Sequence, residues 1–147
     1  MKILIVEADT PLAMRMICFL TGAGCEVQIA RTGEAGIGLA LEKKFDLIVL
    51  DMDLLPGING LDVCRELKQR HFTRHTPVVL VSDRSSLEDQ QRGLDLGAAD
   101  YITKPFDTSD FVQRVLSQAK PPNALNVFDE DADANAEGLC DAAQSNQ

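Results

Sequence analysis

The chain has 147 residues, 45% of them hydrophobic and 25% charged, which is enough apolar material for the core of one compact domain. No apolar run reaches the roughly 18 residues of a membrane span, and the run at the amino terminus is interrupted at Glu7; both features point to a cytoplasmic protein without a signal peptide or membrane contact. The formal net charge of −9 and the lack of a basic stripe argue against direct nucleic-acid binding.

In chain order, short apolar or β-branched runs alternate with stretches of helical period, the pattern of repeated βα units around a parallel sheet covered on both faces. Five strands are predicted: Lys2 to Glu7, Cys25 to Ala30, Asp46 to Asp51, Pro77 to Ser82 and Ala98 to Thr103. The first, third and fourth are nearly continuous apolar, so they should be central. Leu12, Met16, Phe19 and Leu20 form one helical stripe, and Leu61, Cys64, Leu67 and Lys68 another. Helix starts are signalled by Thr10 before Pro11, Asn59 before Gly60, Ser85 or Ser86 before Leu87, and Asp107 to Ser109. Gly22, Gly24 and Gly97 fit helix stops.

After Lys120 the texture changes. Residues 121–147 open with Pro121 and Pro122 and carry Asp129, Glu130, Asp131, Asp133, Glu137 and Asp141 with no Lys or Arg. The expectation is therefore a folded domain over 1–120 and an acidic, disordered tail over 121–147. Cys18, Cys25, Cys64 and Cys140 have no metal-ligand spacing and read as buried small hydrophobes plus one tail thiol, without disulfides.

In an open parallel sheet, ligands bind beyond the carboxyl ends of the strands, where strand order reverses. Those ends carry Glu7 with Asp9, Asp51 with Asp53, Ser82 with Asp83, and Thr103, Lys104 and Pro105. Clustered carboxylates repel one another unless a cation joins them, and Mg²⁺ takes one or two carboxylates together with water and phosphate oxygens. The cluster reads as a magnesium site. Phosphoryl transfer needs a nucleophile in line with its leaving group and positive charge on the equatorial oxygens. Asp51 is placed as the nucleophile, with Mg²⁺, Lys104 and the Ser82 hydroxyl around it.

The segments ILIVE, FDLIVLDMDLLPGINGLDVCRELK, TPVVLVSD and GAADYITKPF together resemble the receiver domain of two-component response regulators, over about residues 1–120. The resemblance implies a flavodoxin-like, doubly wound five-stranded sheet of order 2-1-3-4-5. It implies that Asp51 accepts a phosphoryl group from a sensor histidine kinase, a phosphotransfer protein or a small phosphodonor. Ser82 would contact the phosphoryl group, Lys104 would be its charge partner ahead of a cis proline, and Tyr101 would be the aromatic switch. Metal ligation would fall to Glu7, Asp9, Asp51 and Asp53, the last through its main-chain carbonyl. A downstream protein partner would dock on about 86–120. The family is a phosphoacceptor signalling module rather than an enzyme with turnover, and with no output domain in the chain it would act alone in a phosphorelay.

Two departures stand against that pattern. The family has two adjacent acids after the first strand, where this chain reads Glu7, Ala8, Asp9: either Ala8 has deleted a ligand or a one-residue shift brings Asp9 into its place. The loop from Asp51 to Pro56 is one residue longer than usual. Both leave open a pseudo-receiver, an interaction module with impaired Mg²⁺ binding and no phosphorylation. A third reading takes Asp51 and Asp53 as the DxD motif of a haloacid-dehalogenase-like phosphatase, against which stand the two strands that precede it and the missing late acidic pair. Gly33, Gly36 and Gly38 follow GxxGxG spacing rather than that of a dinucleotide loop, and His71 and His75 lack a third metal ligand.

Overall fold

Apolar side chains on both sides of a strand are stable only where both faces of the sheet are covered. The computed structural model describes residues 1–54 and 57–119 and meets that condition with ten alternating elements: β1 (Lys2–Val6), α1 (Thr10–Gly22), β2 (Glu26–Ala30), α2 (Gly33–Glu42), β3 (Leu47–Asp51), α3 (Gly60–Gln69), β4 (Val78–Ser82), α4 (Leu87–Asp95), β5 (Asp100–Thr103) and α5 (Thr108–Gln118). All strand pairs are parallel and the order is β2-β1-β3-β4-β5, as expected. The three apolar strands β1, β3 and β4 are the interior ones. The predicted strands are one or two residues too long at single ends, where Glu7, Cys25, Asp46, Pro77, Ala98 and Ala99 leave the ladder.

Side-chain alternation divides the core into two layers. Leu4, Val6, Ile48, Leu50, Val78 and Leu80 meet α2 and α3 residues on one face, where Gly93 of α4 lies against Leu80. On the other face Ile3, Ile5, Leu47, Val49, Val79 and Val81 meet Met16 and Leu20 of α1 and Phe111 and Val115 of α5. Asn59, Ser86 and Asp107 cap α3, α4 and α5 as anticipated. The cap of α1 is Asp9, not Thr10: its carboxylate accepts the Leu12 N–H at 3.3 Å, and Thr10 is already helical. Thr32 caps α2. Gly24 and Gly97 end helices with positive φ, whereas Gly22 is still inside α1.

Cys25 and Cys64 are buried thiols, but Cys18 is exposed on α1, a correction to its expected burial. Cys140 and the predicted tail, 121–147, lie outside the described residues. Among the described residues, no helix is long and apolar enough to cross a membrane.

Among the described glycines the tightest position is Gly60, the first residue of α3, whose N–H donates to the Met52 carbonyl at 3.1 Å. A Cβ there would stand 2.2 Å from the Asp51 carbonyl oxygen and 2.4 Å from Met52 Cα, so only glycine allows α3 to start directly against the end of β3. Gly60→Ala is expected to cost about 2–3 kcal/mol and lower the melting temperature by roughly 8–12 °C. Gly38→Ala is its control. Nothing lies within 4 Å of a Cβ on this mid-helix glycine, so the same scan should show a gain of about 0.5–1 kcal/mol.

Candidate functional site

Each βα unit returns the chain to the amino end of the sheet, so the four strand ends that carry polar residues come together at the opposite edge, where the order reverses between β1 and β3. Asp51 is the last residue of β3 and is 4% exposed; Glu7 follows β1 and is 1% exposed. Lys104 follows β5, tied by its own N–H to the Ser82 carbonyl at 2.8 Å, and its peptide bond to Pro105 is cis. Its ammonium lies 3.3 Å from Asp51 Oδ1 and 3.4 Å from Glu7 Oε1.

Two buried carboxylates thus share one half-buried cation. Burial alone would push the Lys104 ammonium down, but the charges of Asp51 and Glu7 outweigh it and hold its pKa above the usual lysine value. Burial, and then the charge of Asp51, raise Glu7 from 4.5 to about 7. Near neutrality the pair therefore sheds part of its excess negative charge by keeping a proton on Glu7.

A second network flanks the first. The Ser82 hydroxyl, 0% exposed, donates to Asp53 Oδ2 at 3.2 Å and accepts the Arg84 N–H at 3.0 Å. Arg84 Nε is 3.4 Å from Asp53 Oδ1, and the buried Tyr101 donates its hydroxyl to the Arg84 carbonyl at 2.8 Å. The Asp53 N–H donates to Asp51 Oδ1 at 3.1 Å, which links the two networks. Arg84 was not singled out from sequence, although an arginine two residues beyond a strand-end serine, near three acids, was a readable signal. Arg31 was missed as well; it reaches the Ala8 carbonyl and the Thr10 hydroxyl from the end of β2.

Of the four predicted metal residues, Glu7 and Asp51 come together at Lys104. The Asp9 carboxylate is turned to the start of α1, and Asp53, assigned through its main-chain carbonyl, turns its carboxylate to Ser82 and Arg84. Ala8 packs its methyl against the core layer under α2 and α3. Among the described residues no group of three or more His, Cys, Asp or Glu is arranged to hold a metal, and His71 and His75 are simply exposed. The donor chemistry still suits a small divalent cation: Glu7 Oε1 is buried without a hydrogen-bond partner, beside a second carboxylate, and Mg²⁺ accepts two carboxylates completed by water. The site opens into a cleft of about 320 Å³ whose rim carries Asp9, Arg15, Asp83 and Phe106. Leu55 and Pro56, where the lengthened loop was noted, lie outside the described residues.

Comparison with known proteins places this geometry. The model of the response regulator receiver domain matches residues 3–116. The response regulator ArlR of Staphylococcus epidermidis is 42% identical over 128 residues, 87% of this chain. The chain spans 57% of that relative's length. Among solved structures, the BeF₃-activated N-terminal receiver domain of Klebsiella pneumoniae RstA aligns with a TM-score of 0.76 and 26% identity over 82% of this chain and 100% of its own. The receiver domain of the Pseudomonas aeruginosa sensor histidine kinase PA1611, solved with magnesium coordinated in its active-site cleft, aligns at TM-score 0.74 and 23% identity over 80% and 96%. The sheet order agrees with these matches, and the family they show is not that of the phosphatase reading of Asp51 and Asp53. The chain belongs to the response regulator receiver domain family of two-component signalling.

Proposed function

We propose that Asp51 accepts a phosphoryl group from the phosphohistidine of a sensor histidine kinase or phosphotransfer protein, or from a small phosphodonor, and that the chain signals through protein contacts on α4, β5 and α5. The observation that carries this reading is the Lys104 ammonium 3.3 Å from a buried Asp51 carboxylate. A carboxylate oxygen of Asp51 attacks phosphorus, the bond to the donor's imidazole nitrogen breaks, and the imidazole leaves with the bonding pair. Lys104 is then free to pair with an equatorial oxygen. Ser82 can rotate its hydroxyl from Asp53 towards the new dianion, and Tyr101 can follow the Arg84 backbone that both contact. Mg²⁺, held by Glu7, Asp51 and the Asp53 carbonyl, would supply further positive charge to the transferred group.

Donors should dock over the cleft rimmed by Asp9 and Phe106. The output face offers Leu87 and Leu94, 82% and 41% exposed, beside a two-point ion pair of Arg114 with Asp100. Its last residue in the predicted span, Lys120, lies outside the described residues.

One observation favours a second reading, the pseudo-receiver: among the described residues no third carboxylate joins Glu7 and Asp51, and position 8 is alanine. Intact-mass analysis separates the two. With Mg²⁺ and acetyl phosphate, a gain of about 80 Da should appear on the wild type and vanish in Asp51→Asn. An unmodified wild type would establish the pseudo-receiver, and full labelling of Asp51→Asn would identify a different acceptor.

The metal has its own test. Ala8→Asp places a carboxylate beside the cation site and should tighten Mg²⁺ by about tenfold or more. Asp9→Ala should instead remove a helix cap, at about 1 kcal/mol, and leave Mg²⁺ affinity within about twofold. Titrations giving the reverse pattern would restore Asp9 as the ligand.

Glu7 should leave a mark on stability. Its folded pKa of about 7 exceeds the ordinary 4.5, so between these values the native state holds a proton that the unfolded chain has released. The resulting stabilisation is complete below about 4.5 and disappears as pH rises through about 7. In metal-free urea melts from pH 4.5 to 7.5, the wild type should lose stability relative to Glu7→Gln as pH rises. Parallel curves would mean that Glu7 is ionised throughout.

A further inference from the structure

The cleft above Asp51 carries more charge than the transfer step uses. Its lining offers Pro11, Leu12 and Phe106 as apolar contacts and Asp9, Arg15, Asp83 and Lys104 as charged ones. Three of these four charges are engaged. Lys104 is committed to Asp51 and Glu7. Asp9 accepts the Leu12 N–H at the start of α1, where the helix amides favour an anion. The Arg15 guanidinium is drawn along α1 to the Phe19 ring, 6.0 Å from its centre. Next to the cleft, Asp53 is paired with Arg84.

Asp83 is the exception. It follows Ser82 directly and is exposed, and among the described residues its carboxylate accepts no hydrogen bond and forms no ion pair. Its charge still reaches the site, being one of those that hold the Lys104 ammonium above the usual lysine value. The centre it overlooks is close to neutral, with one ammonium set against Asp51 and a partly protonated Glu7. A phosphodonor arriving from solvent therefore meets its first uncompensated charge at Asp83, and that charge has the sign of the phosphoryl group.

We infer that Asp83 is a specificity-determining residue, which slows free anionic phosphodonors at the mouth of the cleft and leaves Asp51 to a donor presented on a protein surface. This rests on the reading of Asp51 as the phosphoacceptor. A small dianion has nothing to set against the repulsion, which at an exposed rim acts over a distance and is screened by salt. A phosphohistidine on a protein carries the same phosphoryl group, but its surroundings cover Pro11, Leu12 and Phe106 on docking, and apolar area removed from water offsets the charge. A cationic side chain beside that histidine would pair with Asp83 itself.

The test follows the initial rate of labelling of the full chain by intact mass at saturating Mg²⁺, with acetyl phosphate and with phosphoramidate. In both reactions an Asp51 oxygen attacks phosphorus; acetate leaves acetyl phosphate with the bonding pair, and ammonia leaves phosphoramidate in the same way. Acetyl phosphate is a dianion at neutral pH, whereas the ammonium of phosphoramidate makes it a monoanion. In about 50 mM NaCl, Asp83→Asn should speed labelling by acetyl phosphate about threefold to tenfold, and by phosphoramidate less. At about 500 mM NaCl the gain should shrink below about twofold. Asp83→Glu keeps the charge and should label at the wild-type rate, and Asp83→Lys should exceed Asp83→Asn. Equal rates for the wild type and Asp83→Asn, or a gain that survives high salt, would overturn the proposal and leave Asp51 as the acceptor. Labelling absent from every variant with both donors would instead remove Asp51 as the acceptor, and the role of Asp83 with it.

Discussion

A single ammonium between two buried carboxylates sets the terms for the rest of this molecule. Asp51 and Glu7 are both nearly inaccessible to water, and ions withdrawn from water cost several kcal/mol each unless opposite charge and hydrogen bonds compensate. Lys104 compensates both at 3.3 and 3.4 Å, and the residual repulsion is relieved by a proton on Glu7, raised to about 7. Removing the cation would leave the buried carboxylate pair only the Asp53 and Asp9 N–H groups and the proton on Glu7, so the strand ends that hold these three residues must stay in register.

The sheet supplies that rigidity. β1 and β3 are interior strands paired from Ile3 with Leu47 through Val6 with Leu50, buried on both faces, so neither end can move without opening both core layers. Gly60 adds a local constraint by letting the first turn of α3 lie directly on the backbone of Asp51 and Met52. The flanking network is softer. Asp53 and Arg84 are 30% and 59% exposed at their side chains, and the Ser82 hydroxyl donates to this half-exposed network through one 3.2 Å bond to Asp53. A stiff charge centre beside an adjustable hydroxyl and a tethered tyrosine is what a chemical event at Asp51 needs if it is to be felt at Tyr101, since a uniformly rigid site would have no second arrangement to adopt.

The architecture was legible because each strand is a short apolar run and each helix has a capping residue, so strand order and the position of Asp51, Ser82 and Lys104 followed from pattern and resemblance together. What escaped the sequence were choices among competing hydrogen bonds. Asp9 read as a metal candidate and Thr10 as the signal before a helix starting at Pro11; in the fold the helix begins one residue earlier, at Thr10, and Asp9 caps it by accepting the Leu12 N–H. Asp53 was assigned to the metal through its carbonyl, and its carboxylate was left without a role. Only the fold brings Arg84 round to face it. Cys18 read as buried because a free cysteine without metal-ligand spacing usually packs as a small hydrophobe, yet the helical turn carries it to the exposed side of α1.

The alanine at position 8 bears on charge as much as on ligand count. A carboxylate there would add a full negative charge beside Glu7 and Asp51, so that one ammonium could not balance the group and a divalent cation would be needed before any dianionic phosphoryl group approached. With alanine, Lys104 and the partly protonated Glu7 bring the centre close to neutral. Electrostatic resistance to an incoming anion falls, and so does the hold on a cation. An alanine in place of a ligand would thus move the site from one that depends on a metal for neutrality towards one that depends on a lysine and a proton. Under the proposed function, pH and Mg²⁺ would act on the same two carboxylates, Glu7 and Asp51, and each would change the response to the other.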